Sequence, residues 1–262
     1  MNGMTRIGWV CAAIFFAVAA PAQPLPDARS LLERMKARME LVYNDSKTNR
    51  FSYTRTNVLE ELDAKDQIRK RSVKTYHVLL VQGLPKARTI AVDGRALSKS
   101  EQRVHHAEEQ RLQRTIAQDK SPDWDKPKPW LTDDLLARFK FKVVARTNLE
   151  NRVVLMMSFA PCDDAPSRNM VDRIINRISG VLFVDEEEAE IARLNLVINE
   201  PVKFWGGILG QLDRFEWTLQ RRRSAMGVWF NQLSTGFIQI RKVLATTRFR
   251  FNEESFGFAR DE

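Results

Sequence analysis

Hydrophobic and polar positions alternate most clearly along residues 180–199. Residues 181–184 form a short apolar run and 185–188 a polar reversal. In the second arm Ala192, Leu194, Leu196 and Ile198 fall on one side, with Arg193 and Asn195 among those on the other. A period of two over this length marks a strand with one covered face, so the stretch is predicted as strand, acidic turn, strand. Residues 214–220 repeat the pattern, with Phe215, Trp217 and Leu219 inward and Arg214, Glu216, Thr218 and Gln220 outward. Residues 243–251 alternate in the same way, and together these segments predict the scaffold of a long antiparallel sheet.

The remaining elements follow in chain order. Pro26 and Asp27 open a helix whose apolar positions, Leu31, Leu32, Met35, Met39 and Val42, recur at helical spacing. That stripe needs an apolar surface to lie on, most simply the sheet. Residues 51–59, 71–81 and 88–92 read as a meander of three strands, the last closed by the hairpin signal Asp93-Gly94. Ser98 and Glu101 form a capping box for a charged helix to about residue 118, whose thin stripe (Val104, Ala107, Leu112, Ile116) fits a surface position. A Pro-rich loop with Trp124 and Trp130 precedes a short helix over 132–139. Strands are predicted at 141–147 and 153–159, the second apolar on both faces and therefore mid-sheet. A short helix over 170–178 delivers the chain to the 180–199 hairpin. One helical turn is predicted at 208–212, and strands at 228–230 and 237–241 complete the sheet.

Length and charge narrow the setting. The first 22 of the 262 residues combine Arg6, an apolar run over 7–20 and the small-residue site Ala20-Pro21-Ala22. This is the pattern of a signal peptide cleaved after Ala22, so the mature chain is expected in the periplasm as one domain over 23–262. Loss of Arg6 takes the formal net charge from +9 to +8. Export argues against nucleic acid as the partner of that charge and leaves an anionic membrane surface or an acidic envelope protein. Only Cys162 remains after cleavage, which rules out an internal disulfide in the mature chain.

The catalytic signals are poor. The chain has no G-x-S-x-G, H-E-x-x-H, P-loop or dinucleotide fingerprint, and neither enzymatic activity nor a cofactor is expected. His105 and Glu109, one helical turn apart, lack a third ligand, and a charged exposed helix explains them without a metal. Residues 185–188 lack the spacing of a calcium loop and read as a solvated hairpin tip. The basic residues Arg69, Lys70, Arg71, Arg248 and Arg250 read as solvent-facing charge. Arg221, Arg222 and Arg223 sit beside a turn, where at least two should be exposed and able to give weak, salt-sensitive contact with an anionic surface. Phe51, Tyr53, Tyr76, Met157, Phe159, Leu194, Leu196, Phe215, Trp217 and Phe249 have two readings. They are core, or they line a cavity for a lipid or acyl chain inside a curved sheet.

The order of elements carries a resemblance. Gly180-Val-Leu-Phe-Val-Asp185 with Ala192-Arg193-Leu194 after the turn is similar to the LolA-like superfamily, the periplasmic lipoprotein carriers and their relatives. Phe51-Ser-Tyr-Thr-Arg55, Val58-Leu-Glu-Glu-Leu-Asp63 and Val92-Asp-Gly-Arg-Ala-Leu-Ser98 resemble exported bacterial proteins labelled outer-membrane lipoprotein-sorting proteins. The resemblance implies a mainly β (α+β) fold: a half-open antiparallel β-barrel or curved sheet, covered by an N-terminal helix and a helical insertion over 98–140. It also implies an apolar cavity for lipid or lipoprotein acyl chains, with no covalent chemistry. A regulatory or envelope-stress sensor that binds a protein partner is the other function this fold admits.

Overall fold

The computed structural model describes residues 23–46, 51–81, 84–118, 131–204, 210–242 and 245–260. The expected signal peptide and its cleavage site, and the loop with Trp124 and Trp130, lie outside the described residues. So does part of the turn predicted at 208–212.

The chain runs α1 (Ala28–Ser46), β1 (Phe51–Leu62), β2 (Ile68–Val81), β3 (Leu84–Val92), β4 (Arg95–Ala96), α2 (Lys99–Gln118) and α3 (Asp133–Ala137). It continues with β5 (Phe139–Leu149), β6 (Arg152–Pro161), α4 (Met170–Ile175), β7 (Ile178–Asp185) and β8 (Ile191–Ile198). The last elements are β9 (Val202–Phe204), β10 (Gly210–Arg223), β11 (Trp229–Lys242) and β12 (Ala245–Arg260). All strand pairs are antiparallel, in the order β4-β3-β2-β1-β12-β11-β10-β8-β7-β6-β5. Among the described residues the sheet does not close, because β4 and β5 are the two ends of that order. Strands β8 and β9 lie end to end beside β10, with Pro201 at their junction. Proline has no N–H to give to a ladder, so the break falls there.

Local signals in the sequence act where they were read. Ser30 N–H donates to Asp27 Oδ1 at 2.9 Å at the head of α1. The capping box of α2 closes from both sides, Ser98 N–H to Glu101 Oε2 and Glu101 N–H to Ser98 Oγ. Arg95, with the Ser98 contacts, holds the Glu101 carboxyl down at about 2. Asp93 and Gly94 both take the left-handed conformation that their tight turn needs.

Four features differ from the sequence reading. Residues 210–212 are strand, paired with β9, where a helical turn was predicted. Residues 229–230 and 237–241, predicted as parts of two strands, belong to one continuous strand, β11, which passes through Gly236, while Val228 lies in the preceding turn. β12 extends past Phe251 to Arg260, and residues 252–255, directly after Phe251, are polar on both faces and carry no hydrophobic signal. Finally, Ala192 does not share a side with Leu194. A bulge between the Phe183↔Arg193 and Val184↔Ile191 pairs turns it to the opposite face, against Val154 and Trp229.

The main core lies on one face of the sheet, here called the inner face. Leu31, Leu32 and Met35 of α1 pack on Leu155 and Met157 of β6, Leu182 and Val184 of β7, and Ile191 and Leu194 of β8. The side chains of Leu31, Met35, Leu155 and Met157 are almost wholly removed from water. Apolar stripe and apolar strands bury each other here, which is the dominant favourable term in the fold. α2 instead lies against β3 at the far edge, with Val104 exposed.

Candidate functional site

Strand register brings all ten candidate lining residues to the inner face. The clearest demonstration is a row of cross-strand partners that crosses nine strands. Phe141 pairs with Phe159, Phe159 with Gly180, Gly180 with Leu196, and Leu196 with Trp217. Trp217 then pairs with Gly236, Gly236 with Phe251, Phe251 with Leu59, and Leu59 with Ser72. Directly opposed residues on antiparallel strands point to the same side, so these side chains form one transverse band. The two glycines make room for it. A Cβ at Gly180 would collide with the Phe159 ring and the Asn195 carbonyl, and one at Gly236 with the Phe251 ring and the Glu216 carbonyl. Each glycine thus lets a neighbouring ring lie flat over the backbone. A parallel row, Phe215–Ile238–Phe249–Glu61, flanks the band.

The candidates divide by what covers them. Met157 and Leu194 are buried under α1, and Phe159, Leu196 and Trp217 pack at the margin of that cluster. Trp217 donates its indole N–H to Ser234 Oγ at 2.7 Å. Phe51 and Tyr53 form a separate aromatic group with Phe258, which stacks on Phe230 at 4.8 Å between ring centroids. Tyr76 lies under the Arg55 guanidinium, 5.1 Å away. Phe215 and Phe249 are half-buried in the flanking row. Among the described residues, the cluster that contains α1 takes in side chains of β5, β6, β7, β8 and β10, and none of β1, β11 or β12. The band therefore emerges from beneath the helix at Trp217 and continues as Phe251 and Leu59, the last 48 % exposed.

Several residues of this face were not singled out in the sequence: Leu59, Ile238, Phe251, Phe230 and Phe258. Phe251 was legible by parity, since Phe249 and Phe251 alternate with Arg248 and Arg250. Phe258 was not, because it sits beyond Gly257, which takes a positive φ, where the β1–β12 register shifts.

A polar patch adjoins the band. Arg55, Asn57 and Glu253 share the inner face with Leu59 and Phe251, and Ser255, opposite Arg55, is buried. Burial pushes the Tyr53 phenol above its usual range, with Arg55 and Glu253 pulling in opposite directions.

The acidic turn after β7 differs from the solvated tip expected. The Asp185 side chain is buried and paired with Arg152, and it also accepts the Glu188 N–H at 2.8 Å. Glu186 takes two hydrogen bonds from Arg146, at 2.6 and 2.7 Å. Glu190, also buried, holds Arg38 at 3.1 Å and Arg221 at 2.7 Å. Glu188 joins Arg38, Arg152, Arg223 and the Trp229 indole N–H. Arg34 donates to the Glu186 carbonyl at 2.6 Å. The turn is thus a hub that ties α1, β5, β6, β10 and β11 together, because the arginines supply the donors that make buried carboxylates tolerable. It claims two of the three arginines assigned to an anionic surface. Arg221 is half-buried on Glu190, Arg223 is exposed but bonded to Glu188 at 2.5 Å, and Arg222 is exposed. All three edge an open depression of about 420 Å3 with Arg152 and Trp229.

The side chain of Glu109, and with it the His105–Glu109 pair, lies outside the described residues. Arg250 bonds Glu60 at 2.8 Å on the outer face, and Arg71 stands 3.5 Å from the same carboxylate, so part of the predicted solvent-facing charge is internally matched.

No protein-family model and no curated protein matches this chain. Solved structures similar to it include an outer-membrane lipoprotein-sorting protein domain from Vibrio parahaemolyticus, at 9% identity over 88% of this chain and 93% of that one, TM-score 0.31. A LolA-superfamily protein from Nitrosomonas europaea is similar at 7% identity over 91% and 95%, TM-score 0.30. A chain of the MucA/MucB complex of Pseudomonas aeruginosa is similar at 10% identity over 87% of this chain and 99% of that one, TM-score 0.25. The chain resembles structures of the LolA superfamily and of outer-membrane lipoprotein-sorting domains.

Proposed function

We propose that this chain is an exported periplasmic binding protein or carrier that holds an acyl chain of a lipid or lipoprotein, without covalent chemistry. The observation that carries the reading is the transverse apolar band where it leaves α1. Trp217, Phe251 and Leu59, flanked by Phe215, Ile238 and Phe249, present a contiguous apolar strip on one face of the open sheet. Apolar strips of this kind on a soluble chain mark a place that binds something. A saturated chain fits because it is long, narrow and featureless, like the strip itself. The signal-peptide pattern of residues 1–22 supports the periplasmic setting. Arg222 adds salt-sensitive attraction to an anionic surface, whereas Arg221 and Arg223 are matched by Glu190 and Glu188.

A second reading, a regulatory protein that binds a protein partner, is favoured by a specific observation. The inner face beneath α1 is filled, with Met35, Leu155 and Met157 packed together, so that half of the sheet has no room for a chain.

Leu59→Asp separates the two. Its side chain is half exposed, so the charge can be solvated and the fold should keep its stability. In the acyl reading the variant weakens a fluorescent fatty-acyl probe at least tenfold, about 1.4 kcal/mol. A wild-type protein that shows no saturable probe binding would leave the partner reading in its place.

A further inference from the structure

Arg55 and Glu253 make an ion pair unlike the others. Nε of Arg55 lies 3.7 Å from Glu253 Oε2, too far for a hydrogen bond, with the two side chains only 22% and 29% exposed. The other pairs at 3.5 Å or longer among the described residues each have one partner more than half exposed, where water serves both charges. Arg146 and Arg221, as buried as Arg55, close on carboxylates that are themselves largely buried, Arg146 on Glu186 at 2.6 Å and Arg221 on Glu190 at 2.7 Å. Two polar atoms of the same patch, Arg55 Nε and Asn57 Oδ1, are buried with no hydrogen-bond partner among the described residues. Unmade hydrogen bonds of buried groups are costly, so a site that carries them is one that something else completes. Arg55 is held in place by the Tyr76 ring beneath it, and Tyr53 stands within the field of both charges. The patch borders the apolar band directly. Glu253 is two residues along β12 from Phe251, about 7 Å, and Asn57 is two residues along β1 from Leu59.

We infer that Arg55 and Glu253, with Asn57 beside them, form a head-group site for a zwitterionic amphiphile: a phosphate for Arg55 and an ammonium for Glu253, with the tail on the Leu59–Phe251–Trp217 band. This rests on the acyl-binding reading of that band. The charges decide the class. An anionic head gains Arg55 but stands beside Glu253 on the same half-buried surface, and a cationic head meets the reverse. A head that carries both signs satisfies both residues and lets the unpaired donor and acceptor of the patch relax onto it. Free phosphoethanolamine offers the same charges without a tail, so it should bind far more weakly than the lipid.

The test is displacement of a fluorescent fatty-acyl probe from the full mature chain by compounds with one common dodecanoyl tail, below their micelle concentrations. Lysophosphatidylethanolamine should displace the probe at roughly tenfold lower concentration than lysophosphatidylglycerol or the neutral monoacylglycerol. Arg55→Gln and Glu253→Gln should each erase that preference and leave the monoacylglycerol unchanged, while Arg55→Lys, which keeps the charge, should retain most of it. Should a glutamine variant lose its cooperative melt, the Lys variant and the wild-type head-group series still decide. Equal displacement by all three heads overturns the head-group site and leaves the acyl reading standing. Displacement by free phosphoethanolamine as strong as by the lipid overturns the amphiphile assignment. If no tail-bearing compound displaces or the probe itself does not bind, both inferences fall.

Discussion

Asp185 shows how much a single carboxylate can hold. Burial alone would raise its pKa, but hydrogen bonds from Arg152 and from the Glu188 and Glu187 N–H groups outweigh this and hold it below the usual carboxylate range. Arg146 does the same for Glu186, against a smaller opposing effect of burial. Groups with depressed folded values stabilise the native state above the unfolded pKa, about 3.9 for aspartate. That contribution is lost as the pH falls through the lower folded value. The fold should therefore be indifferent to pH near neutrality and lose stability progressively below about pH 4. Asp185→Asn should cost about 2–3 kcal/mol at neutral pH, since it leaves Arg152 with only its weaker partners. Glu187→Gln, whose carboxylate is 82% exposed, should leave the melting temperature unchanged. Equal melting temperatures for Asp185→Asn and the wild type would show that the hub is ordinary surface charge. Nothing in the local sequence separated these two acids. The four consecutive carboxylates of residues 185–188 read as a solvated tip, and their arginines lie on α1, β5, β6 and β10, where no short-range pattern links them.

At the scale of elements, period and capping chemistry carried most of the reading. The stripe of α1, the capping box of α2 and the Asp93-Gly94 turn are local signals, and the structure places each where its residues ask for it. Misreadings arose where a strand departs from strict alternation. Ala192 changes face at a bulge, and β12 continues through residues 252–255, where polar alternates with polar. The inner-face parity of Leu194, Leu196, Phe215 and Trp217 was legible from alternation, that of Met157 and Phe159 was hidden in a strand apolar on both faces, and the partition between those under α1 and those beyond it depends on where the helix docks. Docking of α1 is itself testable. Met35 is 1% exposed in the centre of the shared core, and Met35→Ala should cost about 2–5 kcal/mol by leaving a cavity against Leu155 and Met157. Chemical denaturation would measure it, and a loss well under 1 kcal/mol would mean that the helix is not a structural part of the core.

For the whole molecule, the consequence of an unclosed sheet is that one continuous apolar band serves two purposes. Under α1 it is core; past Trp217, on β11, β12 and β1, the same row leaves the helix and is the face proposed to hold an acyl chain. Photo-crosslinking with a diazirine-bearing fatty acid, followed by peptide mass spectrometry, examines that claim directly. Saturable labelling should fall on inner-face residues of β1, β11 and β12, chiefly Leu59, Ile238, Phe249 and Phe251, and be competed by unlabelled fatty acid. Labelling that is unsaturable, or that concentrates on exposed outer-face residues such as Val197 and Phe256, would contradict the account.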